Sequence, residues 1–168
     1  MPKPAILFVR LVDRLNYGVG RMAMYLLFVL MGILMWSAIS KAAFSPSLWT
    51  LEMAQFVMVA YFVLGGPYAM QMGSHVRMDL FYARQGPVGR AWWDAFTVLA
   101  LIFYLGVMLW GAIDSTMYSL QYHERSPTAW RPYLWPIKVI LCVGFSLMLL
   151  QALAALIRDL ATIGGEPI

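Results

Sequence analysis

Residues 22–40 read MAMYLLFVLMGILMWSAIS, nineteen residues without a charge. Crossing the hydrocarbon core of a bilayer takes about 20 mostly apolar residues, so this stretch is long enough to span. Three more stretches qualify, and the spans are expected at about 22–41, 52–74, 93–115 and 136–158. All four are expected to be helices, because a lone strand in lipid leaves its backbone groups unpaired. Gly65, Gly66 and Pro67 fall late in the second span, and Pro67 has no N–H to donate, so a kink or loosening is expected there.

Composition agrees with this reading. Of 168 residues 62% are hydrophobic and 12% charged, against about a quarter charged in ordinary soluble domains. The formal net charge of +4 reads as orientation in the bilayer rather than as a nucleic-acid surface, since no basic cluster interleaved with aromatics occurs. Cys142 is the one cysteine, so neither an intrachain disulfide nor a CxxC redox pair is available. No cleavable signal segment is expected, because the first apolar stretch is interrupted by Arg10, Asp13 and Arg14. Loops are short and no internal repeat is present, which gives one membrane domain over 1–168.

The segment ahead of the first span has its own pattern. Arg10, Asp13, Arg14, Tyr17 and Arg21 fall at helical spacing on one face of residues 5–21, with apolar residues filling the rest. An amphipathic helix of this kind suits the headgroup plane. It reads either as an in-plane brace or as a plain surface lead-in to the first span. Eight of the 12 Lys and Arg lie in the N-terminal arm, in the loop between spans two and three, and at the end of span four, which places both termini in the cytoplasm. Trp49, Trp92, Trp93, Trp130 and Trp135 all stand near expected helix ends, where an amphipathic ring is favoured.

The ionisable residues also stand at helix ends. Lys41 follows the first span and Glu52 opens the second; His75, Arg77 and Asp79 follow the second, spaced H-x-R-x-D. A charge at mid-bilayer costs at least about 2.5–3.5 kcal/mol and marks ion or proton paths when it occurs. With none at mid-span, the chain by itself does not read as an ion-coupled carrier. His75 and His123 fall on opposite membrane faces, about 30 Å apart, so they cannot share a metal or a haem. No nucleophile or second carboxylate completes a catalytic set around His75. That cluster reads as the polar exit of a helix. Lys41 and Glu52 bracket one short loop, close enough to pair. The loop holding His123, Glu124, Arg125, Ser126, Pro127, Trp130 and Trp135 reads as a stiff docking rim or as an ordinary interfacial anchor. The thirteen methionines lie mostly in spans, as adaptable packing against lipid or another membrane protein.

The order of motifs carries a resemblance. Trp49-Thr50-Leu51-Glu52 opens the second span, Gly65-Gly66 lies within it, and Gly73-Ser74-His75-Val76-Arg77-Met78-Asp79 follows it. Ser126-Pro127 stands in the second outer loop and Gly144-Phe145 in the last span. This resembles the small membrane subunit of TRAP transporters, the tripartite ATP-independent periplasmic type (DctQ-like), over about residues 30–156. Three positions depart from the pattern: Leu51 replaces one of two adjacent acids, Lys41 stands where an arginine is usual, and Cys142 where a proline is usual. Lys lacks the fork of Arg, so position 41 does not offer the bidentate contact an arginine would. The resemblance implies a non-catalytic subunit without cofactor or metal, in the inner membrane. Its implied partners are a large sodium-coupled permease that moves cargo by an elevator-like motion, and a periplasmic solute-binding protein that delivers a small organic anion. Lys41, Trp49 and Glu52 are then expected to organise the outer face, and His75, Arg77 and Asp79 to fix the inner end of span two. The competing readings are a small four-helix membrane enzyme, such as a thioether or lipid transferase, and a membrane anchor of a respiratory complex.

Overall fold

The computed structural model describes residues 3–43, 45–73 and 87–164. Within them the chain forms α1 (Lys3–Ala43), α2 (Thr50–Gln71), α3 (Pro87–Gln121) and α4 (Trp135–Ile163). Each helix is long and apolar enough to cross a membrane. Among the described residues the one β pairing is an isolated bridge between Arg125 and Tyr133. The protein is thus an all-α, multi-pass membrane protein with four spanning helices.

The expected arm at 5–21 and the first span at 22–41 are one continuous helix. No proline falls between residues 5 and 43 to interrupt the hydrogen-bond ladder. At 41 residues α1 is about 60 Å long, twice the thickness of the hydrocarbon core. Its N-terminal part is poorly buried and amphipathic. Leu7, Leu11 and Leu15 are exposed at four-residue spacing beside exposed Arg10 and Arg14. On the opposite side Val9 and Val12 are buried against Ala154 of α4, with Phe8, Leu150 and Ile157 around them. A leucine stripe flanked by arginines suits a helix lying at the headgroup boundary.

The second helix runs unbroken through Gly65, Gly66 and Pro67, with Pro67 buried inside it. It stops at Gln71 because Gly73 takes a left-handed φ of 65°. The Gly73 N–H then donates to Met70 O and the Met72 N–H to Tyr68 O, satisfying carbonyls that the helix end would otherwise leave open. Only a residue without a Cβ takes this conformation at little cost.

The helices pack as a chain of neighbours: α1 on α2, α2 on α4, and α4 on α3, with the N-terminal part of α1 returning to α4. Small residues set how close they come. A Cβ at Gly144 of α4 would lie 2.1 Å from Val63 Cγ1 and 3.0 Å from the Val63 carbonyl oxygen. At this crossing the α4 backbone therefore lies directly on α2. Such small-residue contacts are how helices associate where lipid removes the ordinary hydrophobic drive. Tyr68 of α2 covers Gly20 of α1 in the same way, and its ring meets Tyr17 at 5.9 Å.

Candidate functional site

Three polar clusters hold the ends of the bundle. At the end where α1 begins and α4 finishes, the side chains of Asp13, Asn16, Gln151 and Arg158 join. Arg158 Nη2 donates to Asp13 Oδ1 at 2.6 Å, and Gln151 Nε2 donates to the same oxygen at 3.1 Å. Gln151 has thereby committed its amide nitrogen to the carboxylate. Its carbonyl Oε1 accepts from Asn16 Nδ2. Asn16 is 0% exposed and Gln151 2%. Asn16 Oδ1 and Arg158 Nε are buried without a hydrogen-bond partner.

At the opposite end of α1, four hydroxyl groups knot α1 to the start of α2. Thr50 Oγ1 donates to Ser37 Oγ at 3.1 Å, while Ser47 Oγ lies 3.1 Å from Ser40 Oγ and 3.0 Å from Thr50 Oγ1. Ser40 Oγ also donates to the Ser37 carbonyl. With the Ser40 and Thr50 hydrogens committed to Ser37, the Ser47 hydroxyl supplies the one hydrogen for its contacts to Ser40 and Thr50. Glu52 is buried one turn into α2, and its Oε2 has no partner.

The third cluster ties α3 to α4. Lys138 Nζ meets Glu124 Oε2 at 2.7 Å and the Ser115 carbonyl at 3.3 Å. Ser119 Oγ donates to the same carboxylate oxygen. The Lys138 hydrogen bond, followed by that of Ser119, holds the Glu124 carboxyl below the ordinary glutamate range. Beyond it the 122–134 loop folds back on itself. Ser126 N–H donates to Pro132 O and Leu134 N–H to Glu124 O. The Arg125 guanidinium lies 4.3 Å over the Tyr133 ring. His123 and Arg131 take left-handed φ values of 48° and 51° to make the bends.

The residues singled out from sequence are distributed as follows. Lys41 is exposed and Glu52 buried, and among the described residues no ion pair joins them. Glu52 is buried at the start of α2, whereas Lys41 stands exposed in the last turn of α1. Trp49 is the residue before α2 and its carbonyl accepts from Met53 N–H at 3.0 Å. Its ring is exposed, as are those of Trp130 and Trp135. Arg10, Arg14 and Arg21 are exposed on one face of α1, with Arg21 5.7 Å over the Tyr17 ring. Asp13, expected on that face, is turned to its edge by Arg158. His75, Arg77 and Asp79 lie outside the described residues.

Asn16, Ser37, Ser40, Thr50 and Gln151 carry no charge, so the pattern of ionisable residues does not reveal them. The available signal was an uncharged polar residue inside an apolar run. Gln151 amid LMLLQALAAL and the Ser37–Ser40 pair at three-residue spacing both show it. Among the described residues no three His, Cys, Asp or Glu side chains converge in a way that could hold a metal ion.

Against known families, residues 30–162 match the model described as "Tripartite ATP-independent periplasmic transporters, DctQ component". The chain belongs to the DctQ family of TRAP transporter components. It is therefore a transporter component and not an enzyme. A relative, the isethionate TRAP transporter permease protein DctMQ of Oleidesulfovibrio alaskensis (strain ATCC BAA-1058 / DSM 17464 / G20), is 33% identical over 119 residues. That match covers 68% of this chain and 18% of the relative, so the chain spans under a fifth of the length of the curated relative it matches. The matched DctQ region contains the hydroxyl knot, Glu52, the Gly144–Val63 crossing and the Glu124–Lys138 clasp; the Asn16 side of the Asn16–Gln151 contact precedes it.

Proposed function

We propose that this chain is the small permease subunit of a tripartite transporter that takes up a small organic anion. In this reading it braces the stationary wall of a large sodium-coupled permease and helps shape the outer face where a solute-binding protein docks. The observation that carries the reading is the family match over residues 30–162. The relative's name, which refers to isethionate, supports a small anion as cargo.

The physical layout supports a bracing role. A stationary wall has to keep its shape while a neighbour slides along it. Here the ends of the helices are fastened by directional polar contacts: Asp13 with Arg158, Thr50 with Ser37, and Glu124 with Lys138. Between them the α2–α4 crossing is closed on glycine. Both charged pairs fall near the two ends of α4, at Lys138 and at Arg158, which leaves its middle to apolar and small residues and one amide, Gln151. The exposed leucine stripe and arginines of α1 would hold the chain at the cytoplasmic headgroups. The excess of Lys and Arg on that side supports an orientation with both termini in the cytoplasm of a bacterial or archaeal cell.

Lys41, Trp49, Glu52, Trp130 and Trp135 are proposed to organise the outer face. His75, Arg77 and Asp79 are proposed to fix the inner end of the second span against headgroups or the large subunit. The test is co-expression with the large permease encoded in the same organism, followed by affinity purification. Wild-type chain retains the large subunit; Glu52→Ala and Asp79→Ala retain less of it or support less uptake. Full retention and full uptake by both variants would count against these roles.

A further inference from the structure

The structure assigns one face of α2 as the seat of a helix from the large permease. This rests on the proposed subunit role and adds which surface makes the contact. The residues of α2 that are exposed are Leu51, Gln55, Met58 and Phe62, and no two of them are adjacent. Their spacing is four, three, four, and Gly65 continues the same line. A strict two-in-seven stripe is the narrow seam by which one helix takes one partner helix, not the broad arc that lipid covers. Helix α4 shows a similarly narrow stripe at Trp135, Val139 and Val143, but with no exposed amide on it, whereas α1 and α3 differ. In α1 the consecutive residues Leu27, Phe28 and Val29 are all exposed, and in α3 so are Phe103 and Tyr104. Those arcs are wide enough to face acyl chains.

Two features of the seam ask for a protein partner. Gln55 presents its amide at the exposed surface, about 8 Å below the start of α2, and no hydrogen bond or ring contact involves it among the described residues. Acyl chains offer that amide nothing, whereas a polar side chain on a neighbouring helix pairs with it. Ten residues further on, a Cβ at Gly65 would meet nothing within 4 Å. That opening is a notch about 15 Å from Gln55 along the helix. The occupant is therefore an apolar membrane helix carrying a hydrogen-bonding side chain at the level of Gln55 and a bulky one at the level of Gly65. In the DctMQ relative the matched region is 18% of a single chain. Most of that protein lies outside the matched region, and its much greater length can supply such a helix.

The test places the photo-crosslinker p-benzoylphenylalanine at Phe62, Phe28 or Phe103 in the full chain, co-expressed with the large permease in native membranes. Irradiation at position 62 is expected to give adducts with the large subunit at least about fivefold above those at positions 28 and 103. Equal or stronger adducts from 28 or 103 would overturn the assignment, as would adducts from 62 only with a second copy of this chain or only with lipid. A second variant, Gly65→Leu, puts a side chain into the notch from a Cβ that meets nothing within 4 Å in this chain. Its melting temperature in detergent should match or exceed wild type while recovery of the large subunit falls about fivefold, the effect of about 1 kcal/mol of lost helix packing. Unchanged recovery overturns the assignment. If the wild-type chain recovers no large subunit at all, the subunit role itself fails and the seam assignment falls with it.

Discussion

Asn16 on α1 and Gln151 on α4, 135 positions apart, are hydrogen-bonded where solvent does not reach. The direction of that bond is set from outside it. Arg158 keeps Asp13 as an acceptor, Asp13 takes the Gln151 amide nitrogen, and Gln151 is left with its oxygen for Asn16. One ion pair at the rim thus orients two buried amides and fixes the rotation of α1 against α4.

Replacing one amide should cost more than replacing both. Gln151→Leu strands the Asn16 amide and should destabilise the detergent-solubilised protein by about 1–3 kcal/mol. In the Asn16→Leu/Gln151→Leu pair, both polar groups are gone, and the loss should be smaller than the sum of the two single variants. A double-mutant cycle of unfolding free energies measures this; strict additivity would mean the two side chains do not interact.

Gly144→Ala should weaken the fold by about 1–3 kcal/mol, because the new methyl overlaps Val63 at 2.1 Å and the Val63 carbonyl cannot retreat without moving α2. Adding Val63→Ala should restore part of that loss by removing the nearest side-chain atom. Melting temperatures of the single and double variants decide it, and equal melting of Gly144→Ala and wild type would contradict the crossing geometry.

The Glu124–Lys138 clasp should respond to acid. The Glu124 carboxyl titrates below its ordinary range in the folded protein, so the unfolded chain takes up its proton first as pH falls. Its stabilisation is therefore fully present above the unfolded glutamate pKa and is lost as pH drops through the folded one. Fluorescence of Trp130 within the loop and Trp135 at its end should report loosening in that acid window. Lys138→Met should move the midpoint upward, toward the ordinary glutamate value; an unmoved midpoint would show that Lys138 is not the cause.

Much of this architecture was legible in residues, and the gaps have physical causes. The four spans follow from unbroken apolar runs, since the hydrocarbon thickness imposes a length that few other structures require. Trp, Pro and charges gather at the interface and mark where a span leaves the hydrocarbon, while the helices themselves run on past it, as α3 does to Pro87 and Gln121. The unbroken α1 was not legible. Arg10, Asp13, Arg14 and Arg21 mark where the solvent changes, not where the helix stops, and nothing between residues 5 and 43 forces a stop. The buried Glu52 and its separation from Lys41 depend on how α1 and α2 are rotated against each other, which residue spacing does not determine. The Asn16–Gln151 and Ser37–Thr50 contacts join distant parts of the chain, so spacing could flag each residue as polar in an apolar run but could not pair them.

The most direct measurement is sodium-driven solute uptake into proteoliposomes containing this chain alone, the large permease with the binding protein, or all three together. Uptake should require all three, with vesicles holding only this chain taking up nothing above empty ones. Accumulation of solute by this chain alone, or full uptake by the other two without it, would contradict its role as the bracing subunit.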